Sequence, residues 1–206
     1  MHAQCNPHKS LLTTGRILHR DISINNIMIT LPQYPRPDKF LKFLIDPDLA
    51  VRASGSPSSP CGAPGRTGTY EFLSIPLLQG KPGHYSHDGL QSFFFVLLWI
   101  AYERPRDRDL LKSWGHADPM IAAAAKHILV KDGEEFQKLL EDSRARVRRE
   151  IKTVAQRFRF ALWPELQHGP AYLVQRQNWM TIRIRFMRRL LRHSNGVSII
   201  YRMKGK

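Results

Sequence analysis

The chain of 206 residues is 42% hydrophobic and 24% charged, which places it among globular proteins of one or at most two domains with material for a sizeable core. It has no run of 18 apolar residues, no apolar stretch in its first ten residues and only two cysteines, Cys5 and Cys61; a membrane-spanning protein, a disulfide scaffold and a Cys-rich zinc protein are therefore not expected, and an intracellular one, cytoplasmic or nuclear, is. The net charge of +15 is unevenly placed, since residues 1–143 hold 16 Lys and Arg against 15 Asp and Glu while residues 144–206 hold 16 against 2, so any affinity for polyanions belongs to the C-terminal part.

From Arg16 to Val51 the chain reads as short strands and turns. Residues 27–31 (IMITL) and 40–45 (FLKFLI) are apolar runs of strand length separated by Pro32, Pro35 and Pro37, which predicts a β-hairpin with a prolonged loop. Residues 53–65 are almost entirely Gly, Ser and Pro and predict a mobile loop without packed structure. Residues 89–102 (GLQSFFFVLLWIAY) are apolar nearly all round and too few to span a bilayer, so they predict a helix at the centre of an α-rich core. From Glu134, the apolar residues Phe136, Leu140, Val147, Ile151, Val154 and Phe158 recur at helical steps, which predicts one long amphipathic helix with Arg144, Arg146, Arg148 and Arg149 largely off its apolar stripe. After Pro164 and Gly169-Pro170 a second helix is predicted over residues 172–193, with Met180, Ile184, Met187 and Leu191 on one face and arginines elsewhere.

Chemistry concentrates in two short strings. The first, His19-Arg20-Asp21-Ile22-Ser23-Ile24-Asn25-Asn26, has the spacing H-R-D-x-x-x-x-N; the second is Asp46-Pro47-Asp48, at the end of the second hairpin strand. Phosphoryl transfer needs a carboxylate beside the nucleophilic hydroxyl and, one short loop away, oxygen ligands for a hard cation on the phosphates. Asp21 is the candidate base, with His19 and Arg20 as its companions in the loop, and Asn26 and Asp46 are the candidate cation ligands.

At these residues the chain resembles the protein kinases, and more closely the fungal-type protein kinase domain family. Four motifs occur in order: HRDISINNIM at 19–28, DPDLA at 46–50, RTGT at 66–69 and HDGLQSFFFVLLWI at 87–100. The resemblance covers roughly residues 10–140 and implies a kinase C-terminal lobe without its N-terminal lobe. The expected fold is therefore α+β, mainly α: a protein-kinase-like C-lobe over 1–143 with a small β-hairpin region, and a basic helical extension over 144–206. It also implies ATP-dependent, Mg²⁺-assisted phosphorylation of a protein Ser or Thr, with Asp21 as base, Asn26 and Asp46 holding Mg²⁺ and the nucleotide, and Thr69 reaching the catalytic loop from the substrate-binding segment. The loop 53–65 becomes the activation segment, where Ser56-Pro57 and Ser59-Pro60 resemble proline-directed phosphorylation sites within reach of Arg20.

The departures from the family pattern are specific. No G-x-G-x-x-G occurs, and the strand Lys of the upper lobe is not matched, so the chain on its own is expected to bind Mg²⁺-ATP weakly or not at all. Pro76 stands where kinases place the Glu of A-P-E, Gly89 where they place an Asp at the head of the core helix, and Pro47 where they have an aromatic between the two Asp residues. These changes open a second reading, a catalytically inactive lobe acting as a binding or scaffold module, and a third, a truncated gene product. His84, His87 and Asp88 are expected to be surface polar groups and not a metal site. Residues 144–206 are expected to associate non-specifically with polyanions, with no base-reading module in view.

Overall fold

The computed structural model of the protein describes residues 15–29, 42–52, 66–101, 109–141 and 148–166. The segment 53–65 with Ser56 and Ser59, both cysteines and the segment 172–193 lie outside the described residues. The architecture is mainly helical with two small two-stranded sheets. Strands β1 (Ile17–Leu18) and β4 (Val51–Arg52) pair antiparallel, with Ile17 opposite Arg52. Strands β2 (Ile27–Ile29) and β3 (Lys42–Leu44) form the predicted hairpin, with Ile27 opposite Leu44. Both pairs flank the 19–26 loop, which is thereby suspended between two short ladders.

The helices are α1 (Ile75–Leu78), α2 (Ser86–Ala101), α3 (Asp109–Lys112), α4 (Pro119–Lys131), α5 (Gly133–Glu141) and α6 (Arg148–Leu162), with 3-10 turns at Tyr70–Phe72, Ser113–Gly115 and Pro164–Leu166. Helix α2 is the core helix the apolar run predicts: Phe94, Phe95 and Leu98 have no solvent exposure. Its start is set by Asp88, whose carboxylate reaches back to the N–H of Tyr85 at 2.7 Å and satisfies a donor that the first helical turn leaves free. Helix α4 begins at the Asp118-Pro119 step, where the Asp118 carboxylate accepts from the Met120 N–H at 2.8 Å. It ends at Asp132, whose carboxylate then accepts from the N–H groups of Glu134 and Glu135 and so opens α5.

The single long helix expected beyond Glu134 is two helices. A continuous helix would separate Phe136 from Arg159 by about 35 Å at ~1.5 Å per residue, yet the Arg159 guanidinium lies 4.7 Å from the centre of the Phe136 ring. The ring of Phe94 meets Phe136 at 6.1 Å, Phe158 at 5.6 Å and Trp163 at 5.4 Å. Both helices therefore lay their apolar stripes on α2. The period of the stripe is legible in the sequence, but periodicity contains no information about where a chain reverses. Although α6 belongs to the basic part of the sequence, Val154 and Ala155 are buried in the same core as α2. One of its arginines is structural, because Arg159 Nε donates to Val130 O at 2.6 Å and an Nη to Lys131 O at 3.3 Å, and these are carbonyls of α4's last turn that no helical N–H reaches. Among the described residues no helix is long and apolar enough to cross a membrane.

Candidate functional site

Asp21 sits in the loop between β1 and β2, and its carboxylate receives three donors. Its Oδ1 accepts from the Thr69 N–H at 2.7 Å and the Thr69 hydroxyl at 2.8 Å, and its Oδ2 accepts from Asn26 Nδ2 at 2.8 Å. The same Asn26 amide nitrogen donates to the Asp21 carbonyl at 3.1 Å. Since both partners of that nitrogen are acceptors, the orientation of the amide follows from its chemistry. Asn26 Oδ1 is left as the atom able to hold a cation. Of the residues singled out in the sequence, Asn26 and Thr69 thus both contact Asp21, although Thr69 is 48 positions away from it.

His19 and Asn26 fix the neighbouring turn. His19 Nε2 lies 2.9 Å from Ile45 O, where it donates, and the Ile45 N–H donates to Asn26 O at 3.0 Å. Asp46 follows directly, exposed, with φ +58°, a left-handed conformation that Asp tolerates better than most residues. Asp46 is therefore placed beside the Asp21 loop by backbone clamps on the residue before it. Two hard oxygen donors, the Asn26 amide and the Asp46 carboxylate, fit Mg²⁺, which commonly takes one or two protein ligands and completes its shell from water and phosphate. Among the described residues no group of three or more His, Cys, Asp and Glu could hold a metal ion.

Arg20 is buried, has φ +68°, and its Nε has no hydrogen-bond partner among the described residues. Gly68 packs against it at φ +112°, and a Cβ there would come within 2.7 Å of Arg20 O. Only glycine meets both demands. The close approach brings the 66–69 segment down onto the 20–21 backbone and so delivers Thr69 to Asp21.

The segment after Thr69 is held by groups the sequence does not flag. Lys126 of α4 is fully buried; its Nζ donates to Leu73 O at 2.6 Å and lies 4.4 Å from the centre of the Phe95 ring and 5.5 Å from that of Trp114. Burial pushes its ammonium pKa well below the usual lysine range, with Glu71 opposing the fall. Ser74, which caps α1 by accepting from the Leu77 N–H, donates to Asp88 Oδ1 at 2.5 Å, and Gln91 Oε1 accepts from the Ile75 N–H at 3.1 Å. Helices α2 and α4 therefore anchor residues 73–75 from two sides. A signal for Lys126 was present: it shares a helical face with Ala122, Ala123, Leu129 and Val130, all buried, so it is a charge set into an apolar stripe.

The expectation that His84, His87 and Asp88 are surface polar groups is overturned for two of the three. His84 and Asp88 are buried, while His87 is exposed. Burial lowers the His84 pKa to about 4, with Arg20 and His87 adding to the fall and Asp88 opposing it. The Asp88 carboxylate is engaged by Ser74 and Tyr85, so its burial comes with hydrogen bonds to offset the lost hydration. Nothing in a single sequence distinguishes a histidine under a turn from one on it.

No curated protein matches the chain. Residues 3–101, which end with helix α2 and contain Asp21, Asn26, Asp46 and Thr69, match the family model described as fungal protein kinase, so this part of the chain is similar to that family.

Proposed function

We propose that this chain contributes the hydroxyl- and cation-facing half of a phosphoryl-transfer site in a kinase-type C-lobe, acting on a protein Ser or Thr. The observation that favours it is that Asn26 and Thr69 both donate to the Asp21 carboxylate. It leaves a carboxylate oriented by three donors, with Asp46 following Ile45, whose backbone is clamped to the same loop by His19 and Asn26. In this reading Asp21 accepts the proton of the substrate hydroxyl as the oxygen attacks phosphorus, a contribution of on the order of 10²–10⁴ in rate. Thr69 fixes the carboxylate's rotation, and His19 and Arg20 hold the loop's backbone. Asn26 and Asp46 would hold Mg²⁺, which when bound neutralises charge on the phosphates of ATP. The positively charged C-terminal part is read as a non-specific polyanion contact, whose affinity falls steeply with salt.

The test uses the full chain with Mg²⁺-ATP and a generic Ser/Thr substrate protein. Phosphate incorporation that disappears in Asp21→Asn supports the assignment, and incorporation unchanged in that variant refutes it. A second reading, a lobe that binds a partner without transferring phosphate, is favoured by Pro47, which removes an N–H and an aromatic packing group from the cation-binding turn. It is distinguished by thermal unfolding with millimolar Mg²⁺-ATP. Saturation to 100 times Kd would add about 2.7 kcal/mol, and no stabilisation together with no incorporation selects the binding module.

A further inference from the structure

Helix α4 sets one face in the core, where Lys126, Leu129 and Val130 are fully buried, and leaves the other in solvent. The exposed positions are Met120, Ile121, Ala124, His127, Ile128 and Lys131. At about 100° per residue they fill one sector of about 120°. Four of the six are apolar, with Met120 56% exposed, Ile121 45% and Ile128 49%, and Ala124 between them. The neighbouring helices present polar groups at their exposed positions, Glu134, Lys138 and Glu141 on α5 and Gln156 and Arg157 on α6. A contiguous apolar stripe in place of such groups marks an interaction surface.

The stripe reads the same from either end. Ile121 and Ile128 stand equally far from the midpoint between Ala124 and Ala125, and so do Asp118 and Lys131, which carry opposite charges. A second α4 laid antiparallel on the first, with a two-fold axis at that midpoint, sets each Ile121 against Ile128 of the other copy. It also brings each Asp118 to the helix end where Lys131 of the other copy stands. Ala124 comes to lie beside the axis, where its small side chain lets the helices approach to about 8 Å. The charged ends are open to this pairing. Asp118 is exposed, and its Oδ1 accepts from the Met120 N–H, which leaves Oδ2. Lys131 is exposed, and its ammonium gives one of three donors to Glu165 at 2.6 Å. From these relations we infer that the outer face of α4 is an isologous dimer surface whose partner is a second copy of this chain. One helix face covers less than the ~800 Å² per partner of a standard interface, so the dimer is weak and its population depends on concentration. This inference is independent of the phosphoryl-transfer reading.

Sedimentation of the full chain from about 1 to about 100 µM tests it, a range that spans weak self-association. A reversible monomer-dimer equilibrium is expected. Each substitution enters a two-fold pair twice, so Ile121→Glu and Ile128→Glu should each raise the dimer Kd by at least about tenfold. Lys131→Glu sets a carboxylate against Asp118 of the other copy and should raise Kd a few-fold, as for an exposed ion pair. Adding Asp118→Asn, which keeps the helix cap, should recover part of that loss. Should the glutamate variants fail to fold, Ala124→Cys in a Cys5→Ser/Cys61→Ser background should oxidise to a disulfide-linked dimer faster than Gln156→Cys, placed on the exposed side of α6 in the same background. A wild-type chain that stays monomeric throughout overturns the inference. So does a dimer that neither isoleucine variant weakens, or an Ala124→Cys chain that cross-links no faster than Gln156→Cys.

Discussion

Both the backbone N–H and the hydroxyl of Thr69 donate to one oxygen of Asp21, at 2.7 and 2.8 Å. A single residue thus fixes the carboxylate's rotation with two donors of different origin, one of which no substitution other than proline can remove. Thr69→Val deletes only the hydroxyl. Hydrogen bonds to charged groups contribute about 1.5–3 kcal/mol, so the variant should lose about that much stability in urea titration, while Thr69→Ser should recover most of it. Equal loss in both variants would mean that the methyl group and not the hydroxyl matters.

Gly68 is the second point at which the 66–69 segment meets the 19–26 loop. With φ at +112° and only 2.7 Å between a Cβ and Arg20 O, Gly68→Ala must strain the backbone or push the loop away. Strained backbone of this kind costs on the order of 1–3 kcal/mol, and the steric displacement adds to it. Thermal unfolding should show the loss, and hydrogen exchange should place the loosening at residues 19–23 rather than in α2. An alanine variant as stable as the wild type would show that the approach is not tight in solution.

These two contacts mark how much the sequence could reveal. The loop string, the hairpin and the core helix were legible because each is local: a spacing, a pair of apolar runs, an unbroken apolar stretch. Thr69 was reached only through the family resemblance, since nothing local says that a threonine will meet an aspartate 48 residues earlier. Lys126, Gln91 and Arg159 act on backbone carbonyls or N–H groups of distant segments, which have no sequence signature of their own. The reversal between α5 and α6 was invisible for a related reason, because both helices present the same apolar phase to the same partner, Phe94.

Lys126 should impose a pH dependence of known sign. Its pKa in the fold lies well below that of the unfolded chain, so between the folded value and about 10.5 the unfolded chain binds more protons and stability rises with pH. The slope contributed cannot exceed about 1.4 kcal/mol per pH unit. Lys126→Met removes this contribution while leaving Leu73 O without its donor. The difference in stability between wild type and variant, measured by urea titration from pH 7 to 10, should therefore shift in favour of the wild type as pH rises. A pH-independent difference would show that the ammonium stays charged in the fold.

His84 predicts the same sign in a lower window. With its pKa held at about 4 in the fold against about 6.5 in the unfolded chain, stability attributable to it is complete above pH 6.5 and falls as pH drops toward 4. Burial is the main cause, and Asp88, Arg20 and His87 are the charged groups around it. In His84→Gln the acid limb between about pH 6.5 and 4 should flatten relative to wild type. A wild-type and variant pair with parallel limbs would assign acid loss to the carboxylates alone.

Helix α6 determines whether the first 143 residues can stand without the rest. Val154 and Ala155 are buried against the core, Phe158 and Trp163 meet the central Phe94 ring, and Arg159 caps the last turn of α4 while lying over Phe136. A chain ending at Ser143 would uncover one side of Phe94 and leave the Val130 and Lys131 carbonyls without their partner. Such a chain should unfold without a cooperative transition by calorimetry. The single change Arg159→Ala separates the cap from the apolar packing: losing buried hydrogen bonds from a charged donor should cost about 3–4.5 kcal/mol, two contacts at about 1.5–3 each with the weaker one at the low end. Arg159→Lys should recover only part of this, because an ammonium cannot present a planar fork to two successive carbonyls. A fully stable chain ending at Ser143 would show that α6 only covers the core, and full recovery in Arg159→Lys would show that charge alone, and not the fork, satisfies the end of α4.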